Sequence, residues 1–364
     1  MRKKRAPDFL LFFTVLSLLS LGLVMVLSSS EYAALVYYGD GLYFFKRQLL
    51  HACLGLAALF FFLRYDYWQF RRLTFPLLGL SFIFLILVLI PGVGDTSHGA
   101  QRWISIGSFS FQPAEIVKFG LLLFVADGLS RRGAEVRKFK ALLPYLGVTG
   151  LAALLILLEP DLGTALALAG TVFVLLFCAG VPLSTLGLLG LAGLACVGLA
   201  IKLEPYRLKR LFAFLDPWKD PLGAGFHIIQ SLYAIGSGGL FGLGLGQGKQ
   251  KLLYLPEQHT DFIFAVIGEE LGFIGALLVI TLFVILIWRG LRTALYAPDA
   301  FGCYLAAGIT AGIGLQAFIN IGVVTGSLPI TGIPLPLISY GGTSLVFTLA
   351  SIGILLNISR YSVR

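Results

Sequence analysis

The chain has 364 residues, 58% of them hydrophobic and 12% charged, where a soluble protein carries roughly 25% charged residues. With a mean hydropathy of +0.91, that excludes an ordinary soluble globular domain and points to an all-α integral membrane protein whose apolar surface is solvated by lipid. A formal charge of +9 would suggest nucleic acid in a soluble protein; here the placement of the Lys and Arg residues matters more than their sum, and no nucleic-acid partner is expected.

Long apolar runs fall at 9–28, 48–63, 73–90, 113–129, 142–158, 164–181, 184–203, 262–288, 301–324 and 341–358. They predict about ten transmembrane helices in a single polytopic domain spanning 1–364. The first follows Arg2, Lys3, Lys4 and Arg5 as a signal peptide would, but its apolar core is too long and nine more spans follow, so it reads as a retained helix. With the N-terminus in the cytoplasm, sixteen of the 27 Lys and Arg residues fall on inside segments, among them Arg64, Arg71, Arg72, Arg131, Arg132, Arg289, Arg360 and Arg364. The loops between spans 5 and 6 and between spans 9 and 10 carry none. That asymmetry places both termini in the cytoplasm. The exception is a large extracytoplasmic loop between spans 7 and 8, the 58 residues from Glu204 to Asp261, with six Lys or Arg; long loops translocate largely regardless of charge. Cys53, Cys178, Cys196 and Cys303 lie in apolar stretches without CxxC spacing, which predicts buried small residues rather than a zinc or disulfide site. No low-complexity segment and no convincing internal repeat are visible.

Most of the polar residues left over fall on the outer side. His98 to Ile104 form the loop before span 4, and Glu115 and Lys118, three apart on one helix face, can pair inside the membrane or face a substrate. Glu159 and Asp161 supply acid to the next outer loop. In the long loop, Phe226, Ile229, Leu232, Tyr233 and Gly236 recur at helical spacing, predicting an amphipathic interfacial helix over 225–235. Residues 236–248 then hold seven glycines in thirteen positions; without a preceding strand this is no dinucleotide motif, and it suits close approach of backbone to a ligand or a helix. Arg207, Lys209, Arg210, Lys219, Lys249 and Lys251 flank it, either as a solvated face or as donors to a pyrophosphate. Asp261 sits where polar loop meets apolar span, so desolvation should raise its pKa and make it a usable general base; a dipole-stabilised helix N-terminal carboxylate is the plainer reading. Glu269 and Glu270 follow about two turns deeper. Residues 332–342 form a Pro- and Gly-broken re-entrant approach to span 10.

The segments QRWISIGSFSFQPAEIVKF (101–119), EPDLGTAL (159–166), the stretch 214–276 containing LYLPEQHTDFIFAVIGEELG, and NIGVVTGSLPITGIPLPLISYGGTSL (320–345) closely resemble the SEDS family of shape, elongation, division and sporulation proteins. YGDGLYFFKRQ (38–48) and IIQSLYAIGSGGLFG (228–242) look most like its division and sporulation branch. The resemblance implies a bacterial cytoplasmic-membrane peptidoglycan glycosyltransferase that polymerises lipid II and works with a class B penicillin-binding transpeptidase, its active site on the extracytoplasmic face. It carries the family's essential aspartate onto Asp261, and assigns the substrate to Glu115 and Lys118 of span 4 and to Arg102 and Trp103 of the loop. Arg210, Lys249, Lys251, Gln258, His259 and Ser339 complete the expected substrate-binding set.

In the expected reaction Asp261 accepts the proton of the GlcNAc C4 hydroxyl, whose oxygen attacks C1 of the MurNAc on a second lipid II. Undecaprenyl pyrophosphate leaves and the α-linked donor gives a β-1,4 bond. The sequence identifies no cofactor with certainty; a divalent cation (Mg or Mn) would suit the pyrophosphate, but no clear ligand cage for a metal stands in the sequence. The rival readings are a lipid II flippase, which needs a polar path across the whole bilayer, and a scaffold for the transpeptidase, for which Asp261 would be dispensable.

Overall fold

The computed structural model describes residues 5–97, 100–107 and 109–362. Arg2, Lys3, Lys4, His98 and Arg364, used in the topology and loop readings above, lie outside the described residues.

Every apolar run is a helix. α1 (Phe9–Tyr38) starts at Asp8, whose carboxylate accepts from Leu11 N–H at 3.1 Å. Then come α2 (Tyr43–Arg64), α3 (Phe70–Val88), α4 (Pro113–Arg132), α5 (Phe139–Leu158), α6 (Leu162–Cys178) and α7 (Leu183–Leu203). The long connection holds α8 (Pro205–Leu215) and α9 (Phe226–Gly238), and α10 (Ile263–Leu295), α11 (Ala300–Val324) and α12 (Gly342–Ser359) complete the chain. Among the described residues eight helices are long and apolar enough to cross a membrane: α1, α2, Tyr67–Val88 around α3, α5, α7, α10, α11 and α12. α6 is an apolar helix of only 17 residues, and α4 carries Glu115, Lys118, Asp127, Arg131 and Arg132. The chain is a multi-pass helical membrane protein.

One element departs from an all-α reading. Between α3 and α4 the chain forms a three-stranded antiparallel sheet of β1 (Gly94–Ser97), β2 (Ala100–Ile106) and β3 (Phe109–Phe111), with Trp103 opposite Asp95 and Ile104 opposite both Gly94 and Phe111. Its alternating pattern is confined to a few residues between two helices, too short to stand out from a loop.

α2 packs along α12, α10 along α11, and α3 along α4, while α11 also touches α4 and α6. The centre is therefore filled from these helices by Leu121, Val125, Leu175, Leu305, Ile309, Ile352 and Leu355. α7 buries only Leu186. The cysteine expectation fails: Cys53, Cys178 and Cys196 are exposed on the bundle and Cys303 is half-buried, because in a membrane protein an apolar stretch faces lipid as readily as core. The expected face of the interfacial helix is also rotated. α9 buries Ile228, Ile229, Ser231 and Ala234 and leaves Tyr233 exposed, because it is packed on α10 and α11 rather than lying free at an interface.

α10 is broken at Gly272, whose φ of +68° takes it out of the helix. The glycine-rich segment fills the break: Leu243 and Gly244 N–H donate to the carbonyls of Glu269 and Glu270 at 3.0 Å each, and Phe273 N–H donates to Gly239 O at 2.9 Å. Backbone groups freed at that depth must find protein partners. A side chain at Gly272 would put its Cβ 2.3 Å from Gly242 N, so of the two uses foreseen for these glycines the structure displays close approach to a helix. The Glu269 carboxylate accepts from Lys249 N–H at 2.7 Å, and that of Glu270 from Gly246 N–H at 3.1 Å.

Candidate active site

The long connection, the sheet, the α5–α6 turn and the segment between α11 and α12 meet one another: Arg102 of the sheet bonds Glu159 O, Thr343 bonds Ser110 O, and Tyr340 N–H bonds His259 O. Asp261 lies there, half-buried, two residues before α10. The residue flanking that helix is Phe262, with no side-chain cap bond, so Asp261 is not a helix-capping carboxylate. Loss of hydration pushes its pKa up to about 7, helped by the nearby charges of Glu257 and Asp161 and opposed by Arg102 and Arg210. Gly332, at φ +73°, walls one side: a Cβ there would lie 3.5 Å from Asp261 Oδ2.

Arg102, on β2, is largely engaged by the α5–α6 turn. Its Nε donates to Glu159 O at 2.9 Å, an Nη donates to Pro160 O, and the other lies 3.7 Å from Asp161 Oδ2. Asp161 in turn caps α6 through Thr164 N–H at 3.0 Å. Glu159 is fully buried and its carboxyl oxygens have no hydrogen-bond partner among the described residues; burial first, and then Asp161, push its pKa up to about 8 against the pull of Arg102. Arg210 is exposed on α8 with its guanidinium 5.5 Å above the Tyr206 ring, and Tyr206 Oη donates to Pro160 O at 3.1 Å. The side chain of Lys249 is exposed and Trp103 is half-buried. His259 lies between Phe44 and Tyr340, ring centres 4.4 and 5.6 Å away, and burial holds its ring below the usual histidine range.

Lys118 Nζ meets Glu115 Oε1 at 2.8 Å. The pair lines a cavity of about 80 Å³ between α4, α6, α11 and α12, shared with Thr171, Gln316, Thr348 and Ser351.

Three residues expected to bind substrate turn inward. Lys251 is 6% exposed, with its ammonium 2.7 Å from Glu270 Oε1; the cost of desolvating the ammonium is offset because the Glu270 carboxylate of α10 is buried with it. Gln258 is buried and donates to Lys251 O at 3.0 Å. Ser339 is buried, donating to Thr260 O at 2.6 Å and accepting from Leu335 N–H at 2.8 Å. Their placement shares one cause: a polar side chain in a loop next to lipid is as free to satisfy backbone as to meet solvent. The sequence reading gives Gly332 only as the start of the re-entrant segment and does not single out Asn320 or Gln48 as site residues, although as polar residues within or beside apolar helices they carry a signal. Among the described residues no group of three or more His, Cys, Asp or Glu could hold a metal ion; a cation carried on a pyrophosphate takes most of its ligands from phosphate and water and needs only one or two carboxylates.

A half-buried carboxylate with a raised pKa, with Arg102 and Arg210 near it at the end of a membrane bundle, has the electrostatics of a group that can accept a proton near neutral pH. Residues 9–364 match the FtsW, RodA and SpoVE family of cell cycle proteins, and the chain belongs to that family. It is 50% identical to stage V sporulation protein E of Bacillus subtilis over 99% of both chains. With a probable peptidoglycan glycosyltransferase FtsW of Thioalkalivibrio sulfidiphilus it shares 48% identity over 98% of this chain and 90% of that one. Among solved structures it resembles a chain of a peptidoglycan synthase complex that coordinates polymerization and crosslinking, with a TM-score of 0.81 at 37% identity over 98% of each chain. The rod shape determining protein RodA of Thermus thermophilus gives 0.73 at 32% identity, covering 99% of this chain and 98% of that one.

Proposed function

We propose that this chain is a peptidoglycan glycosyltransferase that polymerises lipid II into β-1,4 glycan strands. The observation that carries the reading is Asp261, held half-buried with a pKa near 7, where a general base works best at neutral pH. Its carboxylate accepts the proton of the GlcNAc C4 hydroxyl as that oxygen bonds to C1 of the MurNAc on a second lipid II. The C1–O bond to pyrophosphate breaks, and the leaving group carries the electron pair toward the exposed cations Arg210 and Lys249. A single displacement inverts the α-linked donor to a β bond. Arg102 and Trp103 border the site on the sheet side and His259 on the α2 side, and Glu115 with Lys118 supplies the polar wall of the cavity within the bundle. No step is routed through a metal.

The reading includes α4 and α6 among ten spans, with the end that carries Asp261 extracytoplasmic and both termini in the cytoplasm of a bacterial cell; the distribution of Lys and Arg supports this orientation. A relative in a complex that couples polymerization to crosslinking supports a class B transpeptidase as partner. Transport of lipid II is disfavoured because the opposite end of the bundle is tied across its helices: Arg289 Nε of α10 bonds Asp8 at 2.8 Å, Trp68 Nε1 bonds Asp299 at 2.8 Å, and Arg71 Nε of α3 lies 3.5 Å from Asp127 Oδ1 of α4. The test is purified protein with lipid II, with and without the transpeptidase, assayed for glycan chains. Polymer from wild type and none from Asp261→Asn supports the reading; rapid lipid movement without polymer overturns it.

A further inference from the structure

Residues 249–262, which carry Asp261 into α10, run as turns with no helix or strand of their own, so their direction is set from outside. Three consecutive carbonyls are held by donors from distant parts of the chain. Tyr340 N–H donates to His259 O at 2.8 Å, Ser339 Oγ to Thr260 O at 2.6 Å, and Asn320 Nδ2 to Asp261 O at 2.7 Å. The second hydrogen of Asn320 Nδ2 goes to Ile333 O at 2.8 Å, adjacent to Gly332, which walls the Asp261 carboxylate. One amide nitrogen on α11 thus spans both sides of the pocket. Only a group with two hydrogens on one atom can do so from here: an aspartate offers none and a serine one. Asn320 is 2% exposed, and its Oδ1 is buried without a partner among the described residues, so neither solvation nor its own full satisfaction accounts for a polar residue at this point of an apolar helix. Gln48 of α2, 1% exposed, braces the same assembly, donating to Ser339 O at 3.0 Å and accepting from Gly341 N–H at 3.3 Å.

We propose that Asn320 is the positioning residue of the base: its amide clamps the Asp261 backbone to Ile333, and so sets the angle at which the carboxylate meets the acceptor hydroxyl. The inference rests on the reading of Asp261 as the base. Misalignment of a base slows the chemical step and leaves ground-state binding in place.

The experiment uses the full chain with its transpeptidase in proteoliposomes containing lipid II, with rates expressed per folded, partner-bound protein. Asn320→Leu, similar in size and lacking both donors, is expected to lower kcat by about tenfold or more while KM stays within about twofold. The charged groups around Asp261 are Glu257, Asp161, Arg102 and Arg210. With these unchanged, a loosened Asp261 gains water and the acid limb of the kcat profile moves to lower pH, which simple loss of folded protein would not do. Should Asn320→Leu fail to fold by thermal melt, Asn320→Ser and Gln48→Leu carry the same two readouts with smaller expected effects. A folded Asn320 variant with parental kcat and an unmoved acid limb overturns the proposal, as does a loss confined to KM. Asp261→Asn, run alongside, separates the two readings. Parental activity in that variant overturns the base assignment itself, whereas an inactive Asp261→Asn beside a parental Asn320→Leu overturns positioning alone.

Discussion

Lys251 and Glu270 form a buried ion pair 2.7 Å apart that Ser28 of α1 completes, its hydroxyl accepting from Lys251 Nζ at 3.0 Å and donating to Glu270 Oε2 at 2.6 Å. It pins the loop leading to Asp261 against the first helix and the broken one. Removing one partner leaves a buried charge uncompensated, at a cost of about 3 to 5 kcal/mol, while removing both costs less. Lys251→Met and Glu270→Gln should therefore each lower the melting temperature in detergent more than the double variant does. Additive losses would show that the two charges do not depend on one another.

Asp261→Asn should reduce glycan synthesis by roughly 100-fold or more, the usual contribution of a general base. In the wild type, activity should rise with pH through about 7 as Asp261 ionises. Stability runs the other way. Its pKa is raised from 3.8 to about 7 on folding, so the folded state holds the proton more tightly, and the stability this confers is full below the lower value and lost as pH rises through the upper one. The asparagine variant should melt progressively higher relative to wild type between pH 4 and pH 7.5, read by thermal melts at about five pH values. A pH-independent difference would mean that Asp261 is not desolvated.

The Glu115–Lys118 pair at 2.8 Å lines a cavity rather than a sealed core. Single replacement by Gln or Met should cost more stability than the double, by about 1 kcal/mol or more. If instead each single variant keeps its melting temperature and loses glycan synthesis, the pair faces substrate.

Arg210→Gln and Lys249→Gln should raise the KM for lipid II and leave transbilayer movement of labelled lipid unchanged. A charge-assisted contact to pyrophosphate is worth about 1 to 3 kcal/mol, and a solvated surface charge under about 1. Proteoliposomes with lipid II confined to one leaflet separate polymer from movement; unchanged KM in both variants would remove these cations from the site.

Hydropathy belongs to each segment separately, and for that reason the ten apolar runs, the long connection before α10 and the place of Asp261 at the polar–apolar boundary were legible in the amino-acid sequence. Partnership is not. Lys249 and Lys251 stand two residues apart in one basic run, yet the first is exposed and the second is buried against Glu270. Gln258 and Ser339, polar and close to the site in sequence pattern, are engaged by backbone carbonyls, and the face of α9 was decided by α10 and α11 packing on it. Asn320 reaches Asp261 across 59 positions of chain, a separation over which no local pattern carries information. In lipid a polar group must be satisfied by protein, so the sequence alone determined which groups would need partners, and the tertiary structure decided which partners they found.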